Sequence, residues 1–220
     1  MADSILPVGE AAAVQQIEVV NRRGLGLVAQ FAWVDDRFRH TIGMFAPGTP
    51  QNAAPQVLLA SDSADGDAGG GDSEAWPADP PLQQLSVEPI GADASDAVLA
   101  VGQAGCGHWS SSVEAILRDE QPTLKFDIAC RFSKPADYLG SQYRLADPRL
   151  SLQPQGENLL LALADHRLQL AAVAPATAAV EATALAWQLD AEGQRLRLSV
   201  PDTGGSTPRT VRWQFTITLS

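Results

Sequence analysis

Cysteine is nearly absent from this chain: Cys106 and Cys130 are the only two among 220 residues. So low a count is in keeping with a reducing compartment. Cys130 alternates with Phe126, Ile128 and Phe132, which places it in a core as an inert thiol, whereas Cys106 sits between two glycines in a turn. Whether the two are bonded is left open by spacing alone, although free buried cysteine is common. No Asn-x-Ser/Thr sequon occurs, since Asn21, Asn52 and Asn158 all lack the hydroxyl residue two places on.

Positive charge is also scarce. Fifteen Lys and Arg stand against 26 Asp and Glu, for a formal net charge of −11. No basic cluster exceeds short pairs such as Arg22-Arg23. Nucleic acid and anionic membrane surfaces need a concentrated positive field, so neither is expected as a partner. The start of the chain, Met1-Ala2-Asp3-Ser4, carries an acid where a signal peptide would be basic, and no apolar h-region follows. No run approaches the roughly 18 apolar residues of a membrane span. The expectation is a soluble, cytoplasmic protein.

Helical periodicity is almost missing as well. What fills the chain is alternation of apolar and polar residues in short runs. In the last one, Val211, Trp213, Phe215, Ile217 and Leu219 alternate with Arg212, Gln214, Thr216 and Thr218. A strand turns successive side chains to opposite faces, so such a run carries one apolar and one polar stripe. Runs of this kind at 14–20, 25–33, 37–45, 56–60, 82–89, 96–103, 107–117, 123–132, 141–146, 157–164, 167–174, 178–189, 195–200 and 209–219 predict an all-β fold. The expected architecture is a large antiparallel β-sandwich of about 12–14 strands, supersandwich-like, formed by residues 1–220 as a single domain. Apolar content of 45% supports a sizeable core. The Ala-rich part of 171–186 could be helical, but Val180 and Thr183 favour strand. A short helical turn at 134–140, ended by Gly140, is also expected.

Residues 1–13 read as a loose lead-in, and 61–81 as one long loop. Its first part, SDSADGDAGGGDSEA at 61–75, is small, acidic and glycine-rich, with nothing to bury against the entropy of ordering. Asp62, Asp65 and Asp67 do not follow EF-hand spacing. Trp76-Pro77 and Pro80-Pro81 then read as a stiff segment lying across the sandwich surface.

Chemistry-bearing residues are sparse. His40 shares a face with Phe38, Ile42 and Met44 and reads as a hydrogen-bonded core or rim residue; His166 reads as an exposed turn residue. Three histidines in separate segments, without H-x-H or H-E-x-x-H, give no metal signal, and no cofactor is expected. Arg22-Arg23-Gly24-Leu25-Gly26 lacks phosphate-loop spacing and reads as a turn. Trp187 belongs with Leu185 and Leu189 in the core rather than beside Glu181 and Thr183 as a sugar platform.

The segment of most interest is 107–132. On its first run Trp109, Val113, Ala115 and Leu117 share one face, and His108, Ser110, Ser112 and Glu114 the other. On its second, Leu124, Phe126, Ile128, Cys130 and Phe132 are opposed by Thr123, Lys125, Asp127, Ala129 and Arg131. A hairpin pairs like faces, which restricts its register. Setting Glu114 opposite Lys125, Ser112 opposite Asp127 and His108 opposite Arg131 avoids the like-charge pair Glu114–Asp127 that a slip of two would create. The product is a polar face carrying His108, Ser110, Ser112, Glu114, Lys125, Asp127 and Arg131, the candidate ligand-binding residues.

One face of an antiparallel sheet is often polar simply because it meets water. His108 and Ser110, two residues apart on one strand, stand roughly 7 Å apart, too far for a nucleophile–base hydrogen bond. No G-x-S-x-G elbow is present. The leading expectation is therefore a non-catalytic sandwich module that binds a glycan or a protein. The alternative is a carbohydrate-active enzyme with acid–base chemistry on a sheet face, as in sugar-epimerising large sandwiches, an analogy of fold only. A structural or assembly subunit is the third reading.

Overall fold

The computed structural model describes residues 14–50, 52–62, 77, 79–90, 95–136, 138–173, 185–200 and 206–220. Fifteen strands and no helix occur among them, in two antiparallel sheets packed face to face as a β-sandwich. The seven-stranded sheet runs, edge to edge, β1 (Gln15–Val20), β2 (Gly26–Val34), β3 (Arg37–Phe45), β4 (Gln56–Ser61), β9 (Gly140–Leu145), β14 (Arg195–Ser199) and β13 (Ala186–Leu189). The eight-stranded sheet runs β10 (Leu152–Gln155), β11 (Asn158–Ala162), β12 (Arg167–Val173), β15 (Arg209–Leu219), β8 (Gln121–Phe132), β7 (Gly107–Arg118), β6 (Ser95–Ala104) and β5 (Gln84–Ile90).

The alternation explains the packing. In β15, Trp213, Phe215, Ile217 and Leu219 are buried, while Gln214, Thr216 and Thr218 between them are partly exposed and Arg212 just before them is exposed. Phe215 stacks on Phe126 of β8 at 4.6 Å between ring centroids and meets Tyr143 and Trp187 of the opposite sheet edge-on. Trp213 donates its indole N–H to Ser141 Oγ at 3.2 Å, so a large buried ring keeps its polar atom satisfied. Burial of each such side chain contributes about 1.5–3 kcal/mol. Trp187 packs against this core, as its run suggests.

The β7–β8 hairpin has the expected register, with Glu114 opposite Lys125, Ser112 opposite Asp127 and His108 opposite Arg131. Its loop is tighter than the sequence suggests. Arg118 pairs with Gln121, leaving Asp119 and Glu120 as a two-residue turn with φ of 49° and 63°. Positive φ at both central positions is the geometry that matches strand twist in a tight hairpin. Asn21 anchors this turn from the other sheet: its Nδ2 donates to the Glu120 carbonyl at 2.8 Å, and its Oδ1 accepts from Arg23 N and Leu25 N. Residues 22–25 are accordingly a turn, and Gly26 opens β2.

Some expectations fail. β10, with sequence LQPQ, was not expected; it is an edge strand, where Pro154 costs no ladder hydrogen bond. With it the described strands number fifteen, close to the expected count of about 12–14. The 134–140 segment contains no helical turn among its described residues, and Gly140 opens β9 instead. Pro80, Pro81 and Leu82 do not lie across the surface but are buried at the sandwich margin. Phe38 N donates to Leu82 O at 2.6 Å, and Gly102 of β6 leaves room for the Pro81 carbonyl, so this strap passes between the sheets' ends. His166 is partly covered in the β11–β12 turn, where its carbonyl accepts from Leu163 N. The 1–13 lead-in, most of the acidic stretch, Trp76 and the first part of the 178–189 run lie outside the described residues.

Candidate functional site

The outer face of the eight-stranded sheet can be read in cross-strand rows. One row sets Gln84, Val101, Ser110, Ala129 and Arg212 side by side across β5, β6, β7, β8 and β15. The next sets Ser86, Leu99, Ser112, Asp127 and Gln214. Small residues in the middle of both rows, with longer ones flanking them, leave an open concavity of about 770 Å³. Leu99 and Val101 line it from β6 and reach into water, at 38% and 47% exposure. Ser86, Ser110, Ser112, Thr210, Asp127 and Arg212 supply its polar groups.

Three of the seven sequence-predicted residues therefore line this concavity: Ser110, Ser112 and Asp127. The other four flank it on the same face. Lys125 Nζ and Glu114 Oε1 form an ion pair at 3.2 Å, and His108 and Arg131 are exposed and directly opposed. The sequence pattern alone does not bring Arg212, Gln214 and Thr210 to this face. Their alternation was visible, but their adjacency to β8 is a long-range pairing.

Asp127 is the most constrained group here. Arg212 grips both of its carboxylate oxygens, Nε to Oδ1 at 2.6 Å and Nη2 to Oδ2, and Gln214 Nε2 donates to Oδ2 at 2.6 Å. Burial pushes its carboxyl up, but the hydrogen bonds from Arg212 and Gln214, with the charges of Arg212 and Lys125, win and hold it below the ordinary aspartate value. An aspartate so held stays ionised at neutral pH and is a poor proton carrier.

A second polar cluster lies between the sheets. His40 is buried, with Nε2 2.8 Å from the Tyr143 hydroxyl and its backbone N–H donating to Ser61 Oγ at 3.0 Å. Its ring stacks on Phe31 and lies against Phe126. The sequence expectation of a hydrogen-bonded core histidine is met. Burial pulls its pKa down to about 4. Asp79, in the strap, accepts from Gln142 N at 3.4 Å. Part of the residue reaches the surface, yet its carboxyl lies deep among protein atoms, and burial pushes it up to about 8. His40, Asp79, Ser111 and Ser141 line a small void of about 10 Å³, the room of a single water and too small for a larger ligand.

Among the described residues, no group of three or more His, Cys, Asp or Glu side chains is arranged to hold a metal ion. No helix among them is long and apolar enough to cross a membrane. No protein-family model matches the chain, and no curated protein matches it.

Proposed function

We propose that this protein is a non-catalytic binding module whose concavity over β5, β6, β7, β8 and β15 takes an extended segment of a protein partner. One observation carries the reading: an open groove lined by the exposed aliphatic side chains Leu99 and Val101 together with Ser86, Ser110, Ser112, Thr210 and the Asp127–Arg212 pair. Exposed aliphatic lining groups suit aliphatic side chains, and neighbouring hydroxyls suit the peptide groups between them. Acid–base catalysis is disfavoured because Asp127 is committed to Arg212 and Gln214. The cytoplasm is the compartment that fits this reading, in line with the two free thiols.

A glycan is the second reading, favoured by the density of hydroxyl and charged groups on the rim. Against it, none of the described residues lining the groove is aromatic, so they offer no ring platform of the kind on which sugars commonly stack.

The test is a paired screen of a random peptide library and an oligosaccharide array. Both are run on the wild-type protein and on Ser110→Trp, which fills the groove from an exposed position. Peptides whose affinity falls at least roughly tenfold (about 1.4 kcal/mol) on Ser110→Trp support the reading. Oligosaccharides with that behaviour transfer it to a glycan. Ligands indifferent to the substitution remove the groove from consideration.

A further inference from the structure

The two outer faces of the sandwich treat charge differently. On the eight-stranded sheet Glu114 meets Lys125 and Asp127 meets Arg212. On the seven-stranded sheet Arg144 of β9 stands directly opposite Arg195 of β14. Leu145 N donates to Gln194 O at 2.8 Å, which makes the Arg144–Arg195 pair a non-hydrogen-bonded one. Side chains approach most closely at such positions, and like charges placed there destabilise the sheet.

Among the described residues the neighbourhood compensates Arg195 but not Arg144. Arg195 Nε reaches the buried carboxylate of Asp62 at 3.1 Å. Arg144 is exposed and makes no ion pair among the described residues. Arg197, one row along, turns Nε and Nη2 onto Gln142 Oε1 at 3.0 and 2.8 Å and lies over the Tyr138 ring. Asp190 stands opposite Arg195 on the other side, its N–H donating to Arg195 O at 3.0 Å and its Oδ1 accepting from Gln194 N at 2.7 Å. Arg39 lies on the same face and is paired with Asp35 at 3.7 Å. Beside Arg195 and Arg197 is a concavity of about 270 Å³ lined also by Gln142, Gln188 and Asp190. A chain of net charge −11 has acids to spare, yet among the described residues only Arg195 of this pair has an ion-pair partner.

We propose that Arg144 and Arg195 form the core of an oxyanion site on the outer face of the seven-stranded sheet, which binds a phosphate group. Guanidinium forks match phosphate oxygens in a bidentate way, and a dianion between two arginines turns their repulsion into attraction. The phosphate is either free or carried by a small organic molecule whose remainder enters the 270 Å³ concavity. This site is separate from the groove on the other sheet and does not depend on it.

The experiment is equilibrium titration of the full chain with inorganic phosphate and with ribose 5-phosphate at constant ionic strength. It is repeated on Arg144→Gln and on the control Arg118→Gln. Saturable binding is expected in wild type and in Arg118→Gln, weakened at least roughly tenfold in Arg144→Gln, as befits a lost charged hydrogen bond. Equal affinity for the two probes assigns the site to the phosphate group alone, and tighter ribose 5-phosphate binding assigns the concavity to the organic part. In phosphate-free buffer, relief of the like-charge pair should also raise the melting temperature of Arg144→Gln by about 1–3 °C. Absence of saturable binding to either probe, or equal binding by Arg144→Gln, overturns the proposal.

Discussion

His40 Nε2 stands 2.8 Å from the Tyr143 hydroxyl, joining β3 to β9 across the intervening strand β4 inside the sandwich. Both residues are buried, so neither polar atom can turn to water. Tyr143→Phe removes one partner and leaves the imidazole nitrogen unsatisfied, at a cost of about 1–3 kcal/mol. Denaturant unfolding measures that cost. Because the two groups form one unit, adding His40→Leu to Tyr143→Phe should cost less than the sum of the single changes.

Asp79 gives the protein a specific pH profile. Its carboxyl titrates near 3.8 when unfolded and at about 8 when folded. Between those values the folded state binds the extra proton, so stability falls as pH rises through the window. His40 acts oppositely: with 6.5 unfolded and about 4 folded, it makes stability rise with pH between about 4 and 6.5. The two slopes offset each other below pH 6.5, and only that of Asp79 remains from there to about pH 8. Arg37, Arg39 and Asp62 face the same carboxyl and modulate its value. Melting temperatures of wild type should drop between pH 6.5 and 8, and those of Asp79→Asn should stay level. A drop of equal size in the variant would contradict this assignment.

The Asp119–Glu120 turn stores avoidable strain. Both residues hold positive φ, which costs a residue with a β-carbon. Glu120→Gly should stabilise the protein by about 0.5–1 kcal/mol, after the entropic cost of glycine. The carbonyl that accepts from Asn21 is a backbone group and survives the change. Asn21→Ala should do the reverse, exposing unpaired N–H groups at Arg23 and Leu25 and costing about 1–3 kcal/mol. Chemical denaturation of the two variants beside wild type checks both signs.

Gly102 is fixed by the strap. A β-carbon there would fall on the Pro81 carbonyl oxygen, which belongs to backbone and cannot swing aside. Gly102→Ala should destabilise by about 1–3 kcal/mol through overpacking. Because the displaced strap carries Asp79, the variant should also lose part of the decline in melting temperature between pH 6.5 and 8.

The thiols should separate cleanly by reactivity. Cys130 is buried, and burial, with Cys106 nearby, pushes its thiol up to about 12. Cys106 is half-exposed. A thiol-specific chromogenic reagent should therefore modify one cysteine in the native protein and two after unfolding. Fast reaction of both in the native state would show that Cys130 is not held in the core.

Local alternation was enough to read the all-β class, most strand positions and the β7–β8 register, because a strand's two faces are decided by nearest-neighbour geometry and a hairpin's register by a few charges. The polar row from His108 to Glu114 was legible for the same reason. Its completion was not: Asp127 is held by Arg212, 85 residues away, and the groove exists only because β5, β6 and β15 are aligned with β7 and β8. The facing of Arg144 and Arg195 likewise depends on β9 pairing with β14 across 51 positions of sequence. Pro154 hid β10, since an edge position cannot be seen from within a strand. The chain by itself determined which side of each strand is apolar, a matter of one residue's spacing to the next. Which strands become neighbours, and so which charges meet, was decided only by the packing of two sheets around a shared core, where burying the apolar faces of distant runs outweighs any local preference.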